Sequence, residues 1–169
     1  MTALTLTTAR LILRPLRQSD GPDIVRALND IEVSKWLTRV PYPYSVHDAN
    51  WFAAHIARER FVFGVEFEGR IVGTIGCERE FGYWLGRAYW GRGLMPEAAE
   101  AVLTAYFAAG YDRIESGYFA ENARSASVLH KMGFVETGQS TSASLARQDP
   151  VERIDMILTR QAFEARNGN

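Results

Sequence analysis

The stretch from Tyr83 to Ala98, YWLGRAYWGRGLMPEA, constrains this chain more than any other. An aromatic, strand-like run breaks into Gly91-Arg92-Gly93 and then enters an alanine-rich helix at Pro96. Proline is favoured in a first helical turn, and Gly110 stands just past the expected helix end at Ala109. A strand that ends in glycines and feeds a helix leaves backbone N–H groups unpaired, here from about Gly91 to Glu97, and they converge on one small space. Pro96 contributes no N–H, so the donors come from its neighbours, while glycine lets a ligand approach the chain closely. Such a space suits an anion, and a diphosphate matches it well. The same glycines also serve a tight turn that holds no ligand. Neither common nucleotide motif applies: GxxxxGK[ST] is absent, and Gly91-x-Gly93 lacks the third glycine of the dinucleotide fingerprint, where Pro96 stands.

Around this motif the chain reads as alternating strands and helices. Arg10–Leu16 (RLILRPL) alternates as a strand does, and Ser19 or Asp20 is placed to cap a helix through about Asn29. The pattern weakens from Ile31 to Ile56, where VPYPYS interrupts it and Ser45 or Asp48 offers the start of a second helix over HDANWFAAHIARER. Phe61–Phe67 and Arg70–Cys77 form a predicted hairpin turning at Glu68-Gly69, with Glu80–Leu85 pairing next. After the Pro96–Ala109 helix come a strand at Arg113–Phe119 and a helix opened by Asn122 or Ser125. That helix runs to about Met132 and stops at Gly133, and closing strands follow at Phe134–Gln139 and Arg153–Thr159. Helices separate some strands while hairpins join others, so the fold class is a mixed α/β sheet and not a doubly wound parallel one.

At 169 residues the chain is long enough for one core, and a single domain over 1–169 is expected. A net charge of −1 gives no global attraction to nucleic acid or anionic lipid. The lone cysteine, Cys77, excludes an internal disulfide, and MTALTLTTARL lacks the basic start and apolar run of a secretion signal, which points to the cytoplasm. No apolar stretch approaches the roughly 20 residues of a membrane helix.

Three segments, TTARLILRPLRQSD, YWLGRAYWGRGLMPEAAEAV and ENARSASVLHKMGF, resemble in order and spacing the RimJ/RimL-like branch of the GNAT acyl-coenzyme A N-acyltransferases. The resemblance covers most of the chain. It implies a mostly antiparallel sheet with splayed central strands flanked by helices, and acetyl-CoA as cosubstrate with its pantetheine arm in the gap. It also implies direct transfer to a primary amine, on a small molecule or a protein N-terminus, by a monomer or homodimer that needs no metal, nucleic acid or membrane. Coenzyme contacts are expected from Leu85, Trp90, Gly91, Arg92, Gly93, Leu94, Met95, Asn122, Ser125 and Lys131. Trp90 replaces the glutamine or arginine usual in the wider family, and Met95 stands where glycine or alanine is more common. A non-catalytic acyl-CoA sensor and a small interaction domain are the alternative readings.

The catalytic candidates follow from the chemistry of amine transfer. An ammonium ion has no lone pair, so a base or a water relay must take its proton. The resemblance places a glutamate at Glu80, the start of EFGYWL, with Glu78 two residues away as the alternative. Asn122 carries an amide suited to the pantetheine arm and is also a favoured helix cap. Ser125 lies one turn further on, where a serine protonates the leaving thiolate in some relatives; the tyrosine that many others use four residues later is Leu129 here. Ser125 equally suits a bond to the local backbone. Trp36, Tyr42 and Tyr44, with Trp51 and Phe52, are expected to wall the acceptor pocket, where Arg39 offers a charge to a carboxylate. His47, His55 and His130 have no metal-like spacing, and Cys77, in an apolar strand, reads as an inert thiol.

Overall fold

The computed structural model describes residues 3–166. Five strands form one sheet in chain order: β1 (Leu6–Thr7), β2 (Leu11–Arg14), β3 (Val62–Phe67), β4 (Arg70–Cys77) and β5 (Phe81–Leu85). Each pairs antiparallel with the next, and the β3–β4 hairpin turns at Glu68-Gly69 as expected, with both residues at positive φ. A second, three-stranded antiparallel sheet has the order β6 (Arg113–Phe119), β8 (Val151–Thr159), β7 (Val135–Ser142). No ladder joins β5 to β6 among the described residues, and this break is the splay that the resemblance implied. A side-chain bond crosses it, from Ser116 Oγ to the Phe81 carbonyl at 2.7 Å.

The helices are α1 (Gly21–Leu28), α2 (Ile31–Ser34), α3 (Val46–His55), α4 (Leu94–Ala108), α5 (Ala123–Met132) and α6 (Arg160–Arg166). Ser45 caps α3 as its sequence predicts, in a reciprocal box with Asp48 worth about 1 kcal/mol. Asp20 behaves differently from expectation. Its carboxylate makes no cap bond to α1 and instead takes two 2.9 Å bonds from the Arg14 guanidinium and one from the Arg17 N–H. A nearly buried arginine on β2 needs a carboxylate more than the helix end does. The sequence patterns also gave no notice of α2 or α6; α6 is short and holds to the core through Phe163, 5.4 Å from the Phe107 ring.

Helix α4 occupies the centre of the fold. Leu94, Met95, Ala98, Ala99, Val102, Leu103, Tyr106 and Phe107 are all buried, joining residues from both sheets in one apolar cluster. Truncating a fully buried leucine such as Leu103 to alanine costs about 2–5 kcal/mol. A second cluster, of Ile24, Leu28, Val33, Tyr44, Ala49, Ile71 and Trp84, seats α1 and the segment that follows it on the other side of β4 and β5. With both sheet faces covered this way, the β5–β6 break opens onto a cleft.

Candidate functional site

The cleft has a volume of about 590 Å³ and is walled by β5, β6, the start of α4, the start of α5 and the segment from Val33 to Thr38. At the entry to α4, Gly91 and Gly93 have φ of 71° and 73°, a backbone shape that favours glycine. Gly93 is the N-cap and has no side chain with which to cap, and α4 begins at Leu94, two residues before the expected Pro96. Among the described residues, none accepts a hydrogen bond from the N–H of Gly91, Arg92, Gly93, Leu94 or Met95. A Cβ on Gly91 would meet nothing within 4 Å. Open space, five free donors and a helix N-terminus together fit a diphosphate.

The cradle is braced from the turn between β1 and β2. Arg10 donates from Nη1 to the Arg92 carbonyl at 2.9 Å and from Nε to Glu97 at 2.7 Å, while Glu97 also accepts from Thr8 Oγ1 and the Arg10 N–H. Burial raises the Glu97 pKa, but these bonds outweigh it and hold the carboxyl below its ordinary range. With the Arg92 carbonyl occupied by Arg10, the loop is fixed in one orientation. Trp90 Nε1 donates to the Leu85 carbonyl at 2.7 Å, and the Arg124 guanidinium stacks on the Trp90 ring, 3.5 Å from its centroid.

Asn122 caps α5, its Oδ1 accepting from the Ser125 N–H at 3.3 Å, and it also lines the cleft. The Ser125 hydroxyl lies 2.8 Å from the Tyr83 hydroxyl. Burial pushes the Tyr83 phenol well above the usual tyrosine range, the Ser125 bond opposing only in part, so the pair keeps a proton at neutral pH. Tyr83 was missed among the candidate residues, although Phe81, Tyr83 and Leu85 alternate onto one strand face and all line the cleft.

Glu80 lies one residue before β5, in the cleft wall. Arg153 Nη2 donates to both Glu80 oxygens, at 3.0 and 2.9 Å, and Nη1 holds Asp155 at 2.9 Å. Arg153 starts from β8 opposite Phe119 and reaches Glu80 by passing over Gly117. A Cβ on Gly117 would stand 2.5 Å from Nε and Nη2 of Arg153, so this glycine is the opening through which the arginine passes. Arg153 and Gly117 were also overlooked; a glycine inside a strand is the signal of close approach that marks them.

Other candidates separate. Leu85, Trp90, Gly91, Gly93, Leu94, Met95 and Trp36 line the cleft, whereas Arg92 turns its side chain to the Phe67 and Tyr89 rings and Lys131 is exposed on α5. Tyr42 is exposed and Tyr44 is buried in the second cluster, and neither is in the lining, contrary to the acceptor-wall expectation. The physical reason for Tyr44 is its clamp: Asn29 bonds both its N–H and its carbonyl, and burial pushes its phenol up to about 12, with Asp48 adding to the shift. Glu78 and Arg39 are exposed, outside the lining. Cys77 is buried and its thiol is pushed well above the ordinary range by that burial. His55 stacks on Trp51 and His130 sits 3.8 Å from Glu136; the described residues contain no group of three or more metal-ligating side chains. No described helix is long and apolar enough to cross a membrane.

Comparison with known proteins gives this geometry a family. Residues 10–135 match the model of the acetyltransferase (GNAT) domain. An uncharacterized N-acetyltransferase of Bacillus licheniformis, p20, is 28% identical over 149 residues, covering 79% of this chain and 84% of that protein. The SPbeta prophage-derived uncharacterized N-acetyltransferase YokL of Bacillus subtilis is 27% identical over 173 residues, 96% of this chain and 97% of its own. Mycobacterium smegmatis RimJ, solved in complex with CoA-disulfide, shares the fold with a TM-score of 0.77 and 22% identity, covering 96% of this chain and 92% of that one. The matched domain spans most of the chain, from the arginine that braces the cradle to the first residue of β7, and the chain belongs to the GNAT family of acyl-CoA-dependent N-acetyltransferases.

Proposed function

We propose that the protein transfers an acetyl group from acetyl-CoA directly to a primary amine bound in the same cleft. The observation that carries this reading is the run of five unpaired N–H groups from Gly91 to Met95, at the mouth of a cleft that also holds Glu80 and the Ser125–Tyr83 hydroxyl pair. The N–H groups bind the diphosphate, and Asn122, whose Nδ2 has no acceptor among the described residues, donates to the amide-bearing arm. The thioester supplies an activated acyl carbon.

Glu80 takes the ammonium proton, directly or through one water, which frees the lone pair for attack. The N–C bond forms and the C–S bond breaks. Ser125 gives its proton to the departing sulfur and regains one through the Tyr83 hydroxyl, which burial keeps protonated before transfer; the second proton that the nitrogen sheds as the amide forms passes through water and reloads that pair. Arg153 holds Glu80 in position and is a positioning residue. The inert setting of Cys77 favours this direct route over an acyl-cysteine.

Release of free thiol from acetyl-CoA across a panel of amines tests the reading. Amine-dependent thiol release with matching acetylated product is expected. Acetyl-CoA binding without turnover on any amine would favour a sensor, and no binding at all would leave the cradle as a turn.

A further inference from the structure

The wall formed by Val33–Thr38 carries polar groups that the transfer chemistry does not use. Trp36 lines the cleft, and its Nε1 is one of two buried side-chain nitrogen or oxygen atoms without a hydrogen-bond partner among the described residues. A buried donor left unpaired is costly, and such orphans mark places where a ligand completes the set. Above the same ring sits Arg147, its guanidinium carbon 5.0 Å from the Trp36 centroid and 5.5 Å from that of Phe119, which also lines the cleft. Among the described residues no carboxylate lies within ion-pair distance of Arg147. The other cation near the ring, Lys35, is already paired with Glu32 at 2.7 Å.

Arg147 is held in place by more than its rings. Its loop, between β7 and β8, is bolted to the cleft wall by Ser144 Oγ donating to the Leu37 carbonyl at 2.7 Å and by the Leu145 N–H donating to the Thr38 carbonyl at 3.1 Å. Ser144 is buried, so the bolt is shielded from water. Charge accounting points the same way. Arg124 and Arg153 in the lining are balanced by Glu80, also in the lining, and by Asp155, which Arg153 holds, so Arg147, stacked on two lining rings, is what leaves this wall net positive.

We infer that the acceptor is a small amine that also carries a carboxylate, read by the Arg147 guanidinium and the Trp36 N–H. This deepens the acetyltransferase reading and rests on it for the amine. An acid group against Trp36 satisfies the orphan donor and gives Arg147 its missing anion in charge-assisted bonds. The carboxylate is thereby separated from Glu80, which is left for the ammonium.

The experiment uses the full chain and a panel of L-amino acids, each paired with its own carboxamide. A carboxylate holds a neighbouring ammonium charged, so near neutral pH the amide presents more free amine, which outweighs its slightly lower nucleophilicity. A preference for the acid therefore has to come from binding. We expect kcat/KM about 10- to 100-fold higher for the preferred acid than for its amide. Arg147→Gln should collapse that preference through KM, and Trp36→Phe, which keeps the ring and removes the N–H, should reduce it less. Amides used as well as acids, or a preference that survives Arg147→Gln, would overturn the inference. Thermal melting with the same compounds separates its failure from that of the transferase reading. If no amine is acetylated, stabilisation by acids and not by amides that disappears in Arg147→Gln keeps the carboxylate site and removes the transferase. Absence of any such stabilisation together with absence of turnover removes the site.

Discussion

A single ion pair decides what Glu80 is able to do. Its carboxylate faces the cleft because Arg153 reaches it across β6, and its side chain is 47% exposed, so an incoming ammonium and water both have access. Glu80→Gln keeps the volume and removes the proton acceptor. Turnover near neutral pH should fall about 100- to 10,000-fold while acetyl-CoA affinity holds. The deficit should narrow as pH rises toward the amine's own pKa, because more acceptor then arrives neutral. Measured kcat across an alkaline series, both substrates saturating, tests this; wild-type turnover by Glu80→Gln at neutral pH would take Glu80 out of the mechanism. Ser125→Ala should respond differently, its defect persisting at high pH where neutral amine is plentiful. Tyr83→Phe should share that pH-independent pattern, because the phenol acts through the 2.8 Å contact with Ser125. A Tyr83→Phe defect that vanished at high pH would separate the two hydroxyls.

The elements show how a glycine's role depends on its setting. Gly93 combines positive φ with a position at the head of α4, so a β-branched residue there is strained and also intrudes on the cradle. Gly93→Val should weaken acetyl-CoA binding more than the roughly 1–2 kcal/mol lost from folding. Calorimetric titration beside a denaturant curve distinguishes the two effects, and unchanged affinity in a folded variant would mean that the phosphates lie elsewhere. Gly117 has no positive φ, and its value is the room it leaves: Gly117→Ala should expel Arg153 and reproduce the kinetic defect of Arg153→Gln, the double variant being no worse than either. Additive defects in the pair would show that Arg153 takes another path. Gly93 was legible in sequence because strand, glycines and helix are neighbours along the chain. Gly117 was not, because Arg153 lies 36 residues later, and a strand's own pattern says nothing of what crosses its face. Tyr44 failed for the same reason. Aromatic clustering announces burial, while the choice between core and cleft was made by Asn29, 15 residues earlier.

For the whole molecule, acid and ligand act on different parts. Burial pushes the Asp20 carboxyl up, but the Arg14 bonds and the Arg17 N–H prevail and leave it below its ordinary value. A depressed carboxylate stabilises the fold above its unfolded pKa of about 3.9 and loses that contribution as pH falls through the lower folded value. Asp20→Asn, which strands Arg14 with Glu66 alone, should therefore cost on the order of 3 kcal/mol at neutral pH and flatten the acid limb of stability, as urea midpoints across pH will report. The ligand acts instead where the fold is least joined. Between β5 and β6 there is no backbone ladder among the described residues, and the side-chain links there are the Ser116 bond to the Phe81 carbonyl and the Glu80–Arg153 pair. Acetyl-CoA seated in the gap, with its phosphates on Gly91–Met95, would touch both sheets and bind only the folded chain. At 100 times its Kd it should add about 2.7 kcal/mol and raise the melting temperature by roughly 5–10 °C. Pantetheine, which lacks the diphosphate, should give only a small part of that shift, and Gly93→Val should lose most of it while its ligand-free melting falls far less. A full shift with pantetheine would put the binding energy in the arm and leave the cradle without its anion.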